Sequence, residues 1–275
     1  MSQPYLLSAT TEVERLRLQS RTLQPVAEAL LDEIGVQPGW RCLDVACGPM
    51  GVLGPLARRA GPTGRVIGSD AEPLMLDAAR AYLDEEGLPS QGAASVELMR
   101  DDAYASALPA ATFDLTHVRF LFAPAGRDDE LALQLRRLTR PGGIIAAEEP
   151  DTGSWRIYPK SPAFDRLRDV VIAAFHASGG DLDAGRRLYG LFTGAGLQDV
   201  RLRADLVALP PGHPYLRAPI QFAVSLRPRL LSFGIIGESE LDATIAEVEE
   251  HLARPDTTGL PFTVMQAWGR IPLSL

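Results

Sequence analysis

Apolar positions follow two different periods along the first half of the chain. Over residues 11–34, Leu16, Leu18, Leu23, Val26, Leu30 and Leu31 recur near helical spacing with Glu and Arg between them. That predicts one or two amphipathic helices. Pro25 suits the first turn of a second helix, where a missing N–H is tolerated. Pro38-Gly39 then breaks the chain. Residues 43–46 form a short apolar run carrying one acid, Asp44, and the run stops at Gly48; the pattern resumes at helical spacing through Val52, Leu53 and Leu56. This reads as strand, tight turn, helix. A second strand, residues 65–70, follows the turn cluster Gly61-Pro62-Thr63-Gly64, and Ala71-Glu72-Pro73 opens a helix with Leu74, Met75 and Ala78 on one face. Strands are predicted at 95–99 and from 112 towards 122, and a helix at 128–138. Pro141-Gly142-Gly143 reads as a forced turn before a buried parallel strand at 144–147.

The second half is less regular. Helices are predicted at 163–178, ended by Gly179-Gly180, and at 186–195, closed by Gly196. A strand spans 199–209. The turn Pro210-Pro211-Gly212-His213-Pro214 leads to helical stretches at 216–231 and 239–254. A last strand, 262–269, is expected to lie antiparallel beside strand 144–147. Alternating strands and helices predict an α/β fold. It is a seven-stranded, mostly parallel sheet with helices on both faces, an antiparallel last strand and a helical insertion. The expected organisation is an N-terminal helical cover (1–36), a core (37–210), a helical insertion or lid (211–258) and the core's final strand (259–275).

Composition narrows the function classes. The chain has 275 residues, 46% of them hydrophobic, enough for one large domain or one domain with a cap. A formal charge of -8 argues against a nucleic-acid partner. No window approaches ~20 uncharged apolar residues, so no membrane span is expected. The start Met1-Ser2-Gln3-Pro4-Tyr5 lacks the features of a signal peptide. Two cysteines, Cys42 and Cys47, fit a reduced, cytoplasmic protein and no metal site.

The strand-turn-helix unit carries the chemistry. Glycines there permit a sharp bend and close approach of a ligand to the main chain, and the helix offers free N–H groups at its start. A dinucleotide loop needs G-x-G-x-x-G around a pyrophosphate, but only Gly48 and Gly51 are present. Asp44, late in the strand, repels a pyrophosphate and attracts an ammonium group. S-adenosylmethionine carries an ammonium and a sulfonium and no phosphate. The stretch Asp44-Val45-Ala46-Cys47-Gly48-Pro49-Met50-Gly51 resembles motif I of the class I S-adenosylmethionine-dependent methyltransferases, in the form D-V-x-C-G-x-G-G. Ala46 and Met50 depart from glycines common in that family. The first is a mild change; the second narrows the space above the loop. A tight turn with no ligand is the plain alternative.

Further segments carry the same resemblance. Tyr5, Glu14-Arg15-Leu16 and Gln19 resemble the helix that covers the cofactor in small-molecule members. Arg100-Asp101-Asp102-Ala103 is similar to the family's G-D-A segment, Phe113-Asp114 to Arg119-Phe120 to its fourth strand, and Leu138 to Gly143 to its L-x-P-G-G turn. The resemblance implies a Rossmann-like core whose cofactor contacts are Gln19, Asp44, Ala46, Cys47, Gly48, Asp70, Ala71, Met75, Asp102, Ala103, Val118 and Arg119. In it, Asp70 accepts from both ribose hydroxyls, Met75 packs on the adenine, Asp102 accepts from the adenine amino group and the Ala103 N–H faces a ring nitrogen. Arg119 pairs with the cofactor carboxylate or with a substrate. Each has a plainer reading: a helix N-cap for Asp70, core packing for Met75, a solvated loop acid for Asp102. Asp114 begins its strand, far from the ligand edge, and is read as structural.

The pattern resembles the ubiquinone/menaquinone-type small-molecule methyltransferases, including those of bacterial secondary metabolism. The implied activity is O-, N- or C-methylation of a small-molecule acceptor in the biosynthesis of a natural product or quinone-like metabolite, with S-adenosylhomocysteine as product. Candidate bases are His117, Glu149 and Asp151, against a satisfied core histidine and solvated loop acids. A homodimer is compatible with the sequence. Two alternatives stay open: a cyclase-like enzyme that binds the sulfonium and transfers no methyl, and a non-catalytic or NAD-type α/β protein.

Overall fold

A computed structural model describes residues 9–88 and 92–273; Tyr5 lies outside them. In chain order the elements are α1 (Ala9–Ile34), β1 (Arg41–Val45), α2 (Leu53–Ala60), β2 (Arg65–Asp70), α3 (Pro73–Glu85), β3 (Ser95–Arg100), β4 (Phe113–Arg119), α4 (Phe122–Ala125) and α5 (Asp128–Leu138). There follow β5 (Thr139–Asp151), β6 (Arg156–Tyr158), α6 (Pro162–Ala177), α7 (Leu188–Gly194), β7 (Gln198–Asp205), α8 (Ala218–Ser232), α9 (Glu238–Leu252), β8 (Thr258–Leu260) and β9 (Thr263–Arg270). Seven strands form one sheet in the order β3-β2-β1-β4-β5-β9-β7. The five from β3 to β5 run parallel, and β9 is antiparallel to both β5 and β7. Strand order reverses between β1 and β4. Helices after β1 and β4 leave in opposite directions there, which opens a crevice at the strands' C-terminal ends.

The buried strands read as near-continuous apolar runs because both faces are covered. Successive residues feed opposite cores, as the two-residue period of a strand requires. Cys42, Val66, Leu115, Ile144 and Ala146 join Leu30 and Leu31 of α1 and Leu53 and Leu56 of α2. Leu43, Val45, Ile67, Val118, Ile145 and Ala147 join α5, α6 and α8 through Leu135, Leu167 and Leu226. This parity decides which way each polar strand residue points.

The fold class expected from sequence is the one observed, with local corrections. Residues 9–34 form one helix that runs through Pro25, so Pro25 does not start a second. Arg21, one turn earlier, and Pro25 are both exposed, so water reaches the carbonyl that loses its N–H partner. Pro141-Gly142-Gly143 is an irregularity inside β5, where the register with β4 shifts, and not a turn before it. The strand expected over 199–209 ends at Asp205. The ribbon of β6 with β8 was not expected; three residues per strand leave no periodic signal.

Candidate cofactor site at the strand edge

The loop after β1 is held from two sides by carboxylates. Asp44 is 1% exposed. Its Oδ2 accepts the N–H of Val52 at 2.9 Å, which closes the turn from beneath. Gly51 sits at φ +52, and a Cβ there would lie 2.1 Å from Asp44 Oδ2 and 2.9 Å from the Cys47 carbonyl. Only glycine fits that approach. From β2, Asp70 Oδ2 accepts the N–H of Gly48 and its Oδ1 accepts the N–H of Glu72, each at 2.9 Å. Asp70 is therefore not the N-cap of α3, a place Glu72 holds; it braces the turn that leads into that helix and joins the turn to the loop. Burial pushes its carboxyl upward, and the two N–H groups oppose the shift. Each oxygen keeps a second lone pair for a ligand.

Two sequence expectations for the loop are corrected. Ala46 stands at φ +52, so alanine here is no mild change: the left-handed region costs a non-glycine residue about 1–2 kcal/mol. Met50 does not narrow the space above the loop. It is buried in the core with Leu30, Leu53 and Leu56. The Cys47 thiol is buried, and burial holds its pKa well above the ordinary value; its Sγ lies 3.5 Å from the Gly48 carbonyl.

A buried polar row crosses the sheet beneath this loop. In register, Asp44 of β1 faces His117 of β4, and Glu148 of β5 faces Gln266 of β9. Strand parity turns all four towards α1. The His117 ring meets Asp44 Oδ1 through Nδ1 at 2.8 Å and Glu148 Oε1 through Nε2 at 3.1 Å. Gln266 Nε2 donates to Glu148 Oε2 at 2.7 Å and to the Val26 carbonyl of α1 at 3.1 Å. Burial alone would lower the His117 pKa, but its bonds to the two carboxylates outweigh that and raise it to about 9. His117 is thus an imidazolium donating from both nitrogens, the satisfied core residue and not a free base.

The other two candidate bases are also engaged. Glu149 points to the opposite face. Its Oε1 accepts from the N–H groups of Leu121 and Phe122 at 2.8 Å each, and its Oε2 from Ala123 at 3.1 Å. Burial raises its pKa to about 8 against the pull of those three N–H groups. It pins the chain where β4 passes into α4. Asp151 pairs with Arg186 through two bonds of 2.8 and 2.7 Å, and Arg186 holds its carboxyl below the usual range.

Most of the remaining predicted residues gather at the same edge. Asp102, exposed, accepts the Tyr104 N–H at 2.9 Å, and Asp101 accepts the Ala107 N–H at 2.8 Å. Ala103 is half-buried, Ala71 exposed and Met75 buried. The Val118 side chain is fully within the core, so only its main chain faces the edge. Asp114, at the far end of β4, binds Arg140 and the Arg41 N–H, as its structural reading expects. Arg119, last residue of β4, donates to Ser20 Oγ of α1 at 2.7 Å and approaches the Gly51 carbonyl at 3.5 Å. Both partners are neutral. Gln19 is buried next to Ser20 and accepts from Arg15 at 2.8 Å, while Arg15 pairs with Glu12. α1 therefore closes over the mouth of the loop.

Sequence reasoning missed Ser20, Glu148, Gln266 and Tyr215. Tyr215 lies on a 3-10 turn, Pro214–Arg217, directly after the proline-rich stretch. An aromatic residue closing that turn was its only cue.

Residues 42–143 match the family model described as a methyltransferase domain. Nocamycin O-methyltransferase of Saccharothrix syringae is 35% identical over 159 residues, which cover 56% of this chain and 55% of that protein. The ubiquinone/menaquinone biosynthesis C-methyltransferase UbiE of Burkholderia cenocepacia is 30% identical over 117 residues, 42% of this chain and 46% of its own length. The chain spans about half the length of these curated relatives. The YcgJ protein of Bacillus subtilis superposes with a TM-score of 0.56 at 14% identity, over 88% of this chain and 97% of its own, a likeness of fold alone. The domain match runs from β1 into β5, across the glycine loop and the strand ends described above, so over residues 42–143 this chain is similar to a methyltransferase domain.

Proposed function

We propose that this chain binds S-adenosylmethionine at the crevice beside β1 and β4 and methylates a small-molecule acceptor. The observation that carries this reading is the charge layout around the loop. The Gly48 N–H, which a pyrophosphate would need, is already taken by the Asp70 carboxylate. Acids stand at the end of β2 and after β3, and the Arg119 guanidinium stands between the loop and α1, hydrogen-bonded to the Ser20 hydroxyl and near the Gly51 carbonyl. That layout suits a nucleoside with an amino-acid tail and repels a dinucleotide. Asp70 takes the ribose hydroxyls, Asp102 and the Ala103 N–H the adenine edge, and Ala71 and Met75 its face. Ala46, Cys47 and Gly48 line the loop with their main chain, supported by Asp44. Arg119 takes the carboxylate, with Gln19 and α1 above it.

When bound, S-adenosylmethionine supplies a methyl group on a sulfonium, whose departure leaves a neutral thioether. The protein therefore has no leaving-group anion to stabilise, and its contribution is orientation and exclusion of water. We read residues 1–36 as a cover, 37–210 with 259–275 as the core, and 211–258 as a lid. Among the described residues no helix is long and apolar enough to cross a membrane, and both cysteines are buried and free, which suits a reducing cytoplasm. The acceptor is a biosynthetic small molecule of the natural-product or quinone-like kind; the two curated relatives support that class.

Replacing Asp70 by Ala tests the assignment. Loss of two ribose hydrogen bonds should weaken S-adenosylhomocysteine binding about ten-fold or more, read by calorimetry on folded variant. Unchanged affinity would remove Asp70 from the site.

A further inference from the structure

We propose that the aromatic cluster around Tyr215 is the acceptor subsite, and that it takes a flat, conjugated molecule bound as its oxyanion: a phenolate, an enolate or a carboxylate. This rests on the reading of the cofactor site above.

The cluster joins five parts of the fold next to the C-terminal end of β4, and its Trp155, Tyr215, Phe222 and Phe262 rings are buried. Phe262 before β9 meets Phe120 after β4 at 5.5 Å, Trp155 before β6 at 6.1 Å and Tyr215 at 6.5 Å, all edge to face. Phe222 of α8 meets Trp155 at 6.2 Å. The Arg15 guanidinium of α1 lies 4.2 Å above the Phe222 ring. Phe120 directly follows Arg119 and holds a strained φ of +58, which turns its ring towards Phe262. Strain at that point is a mark of a position fixed for function. Edge-to-face walls of this kind accept flat conjugated rings.

Tyr215 supplies the polar contact. It is 1% exposed, and its hydroxyl has no hydrogen-bond partner among the described residues. Burying an O–H without a partner is costly, so such a group marks a place where a ligand atom belongs. The His213 ring accepts the Tyr215 N–H at 3.2 Å and fixes the turn that presents it. Burial pushes the phenol upward, against the opposing pull of Arg15 and Arg119, so it remains an O–H donor. The charged groups around it are Arg15, paired with Glu12, from α1 and Arg119 from β4. Donors and positive charge face an acceptor here, which favours an oxyanion over an amine.

The state of the candidate bases points the same way. His117, Glu149 and Asp151 are each committed to partners inside the protein. An acceptor that binds already deprotonated needs none of them. Its electron pair forms the new bond to the methyl carbon as the carbon–sulfur bond breaks, the released pair stays on sulfur, and no proton moves.

The test uses the full chain saturated with S-adenosylhomocysteine and 7-hydroxycoumarin as probe, whose anion fluoresces. The bound probe should ionise about one pH unit lower than in buffer, a ten-fold preference for the anion. Unsubstituted coumarin should bind about ten-fold more weakly than the anion. In Tyr215→Phe the probe should lose about ten-fold in affinity, as for one hydrogen bond to a charged group. S-adenosylhomocysteine affinity should stay unchanged. The coumarin comparison in wild type needs no variant, so a misfolded Tyr215→Phe leaves it decisive. Equal binding of anion and neutral probe, no probe binding at all, or unchanged affinity in Tyr215→Phe would overturn the subsite while leaving the cofactor site standing. Failure to bind S-adenosylhomocysteine would overturn both.

Discussion

Gly51 and Asp44 show how little freedom the loop has at the scale of single residues. A methyl group at Gly51 would stand 2.1 Å from a buried carboxylate that is itself fixed by His117. Gly51→Ala should therefore cost about 2–4 kcal/mol, from strain at positive φ and the displaced carboxylate, and should weaken S-adenosylhomocysteine binding more than Asp70→Ala does. Urea unfolding and calorimetry read the two effects. Ala46 gives the opposite expectation. Its φ of +52 suits glycine, and Ala46→Gly should stabilise by roughly 0.5–1 kcal/mol, strain relief less glycine's greater chain entropy. A loss of stability in urea would show that the Ala46 methyl contributes packing that outweighs its strain. The glycines, Asp44 and Asp70 were legible in the sequence because spacing alone puts them at a strand end. The roles of Met50, His117 and Glu149 were not. Which face a side chain takes depends on strand parity and on the neighbour across the sheet, and neither is local.

Among the elements, α1 settles a choice the sequence leaves open, since it is one helix that runs through Pro25. A proline inside a helix normally ends it, because an N–H is lost and the ring presses on the preceding turn. Here Leu23 before that point and Val26, Leu30 and Leu31 beyond it are buried, and Gln266 holds the Val26 carbonyl. Tertiary packing carries the helix through. Pro25→Ala should then restore one hydrogen bond and stabilise by about 1–2 kcal/mol, seen as a higher urea midpoint; a lower midpoint would mean that Pro25 mainly restricts the unfolded chain. The parallel strands were legible because they are buried on both faces and follow turn signals. β6, β8 and the 3-10 turn bearing Tyr215 were not. They are too short for a period, and long-range pairing alone defines them.

For the molecule as a whole, the row Asp44-His117-Glu148-Gln266 ties four strands and α1 to the loop. Removing the middle member leaves two buried carboxylates facing each other. His117→Gln should cost about 3–5 kcal/mol, measured by urea unfolding, and a loss below about 1 kcal/mol would mean that the row is dispensable. The row also sets an alkaline limit. The His117 pKa is about 9 folded against 6.5 unfolded, so the native state binds more protons between those values. Its contribution is complete below pH 6.5 and is lost as pH rises through 9, on the order of 1–3 kcal/mol. Glu149, raised from 4.5 to about 8, acts with the same sign over its own window. Unfolding midpoints should fall between pH 6.5 and 9; a rise would contradict the charged state of His117. All of this buried machinery supports the proposed seating of a nucleoside with an amino-acid tail at the end of β1. Calorimetric titration of the purified chain with S-adenosylmethionine, S-adenosylhomocysteine and NAD measures that event directly. The expected result is micromolar binding of both sulfur nucleosides and none of NAD. Binding of NAD, or no heat from any of the three in a folded sample, would contradict the assignment of the site.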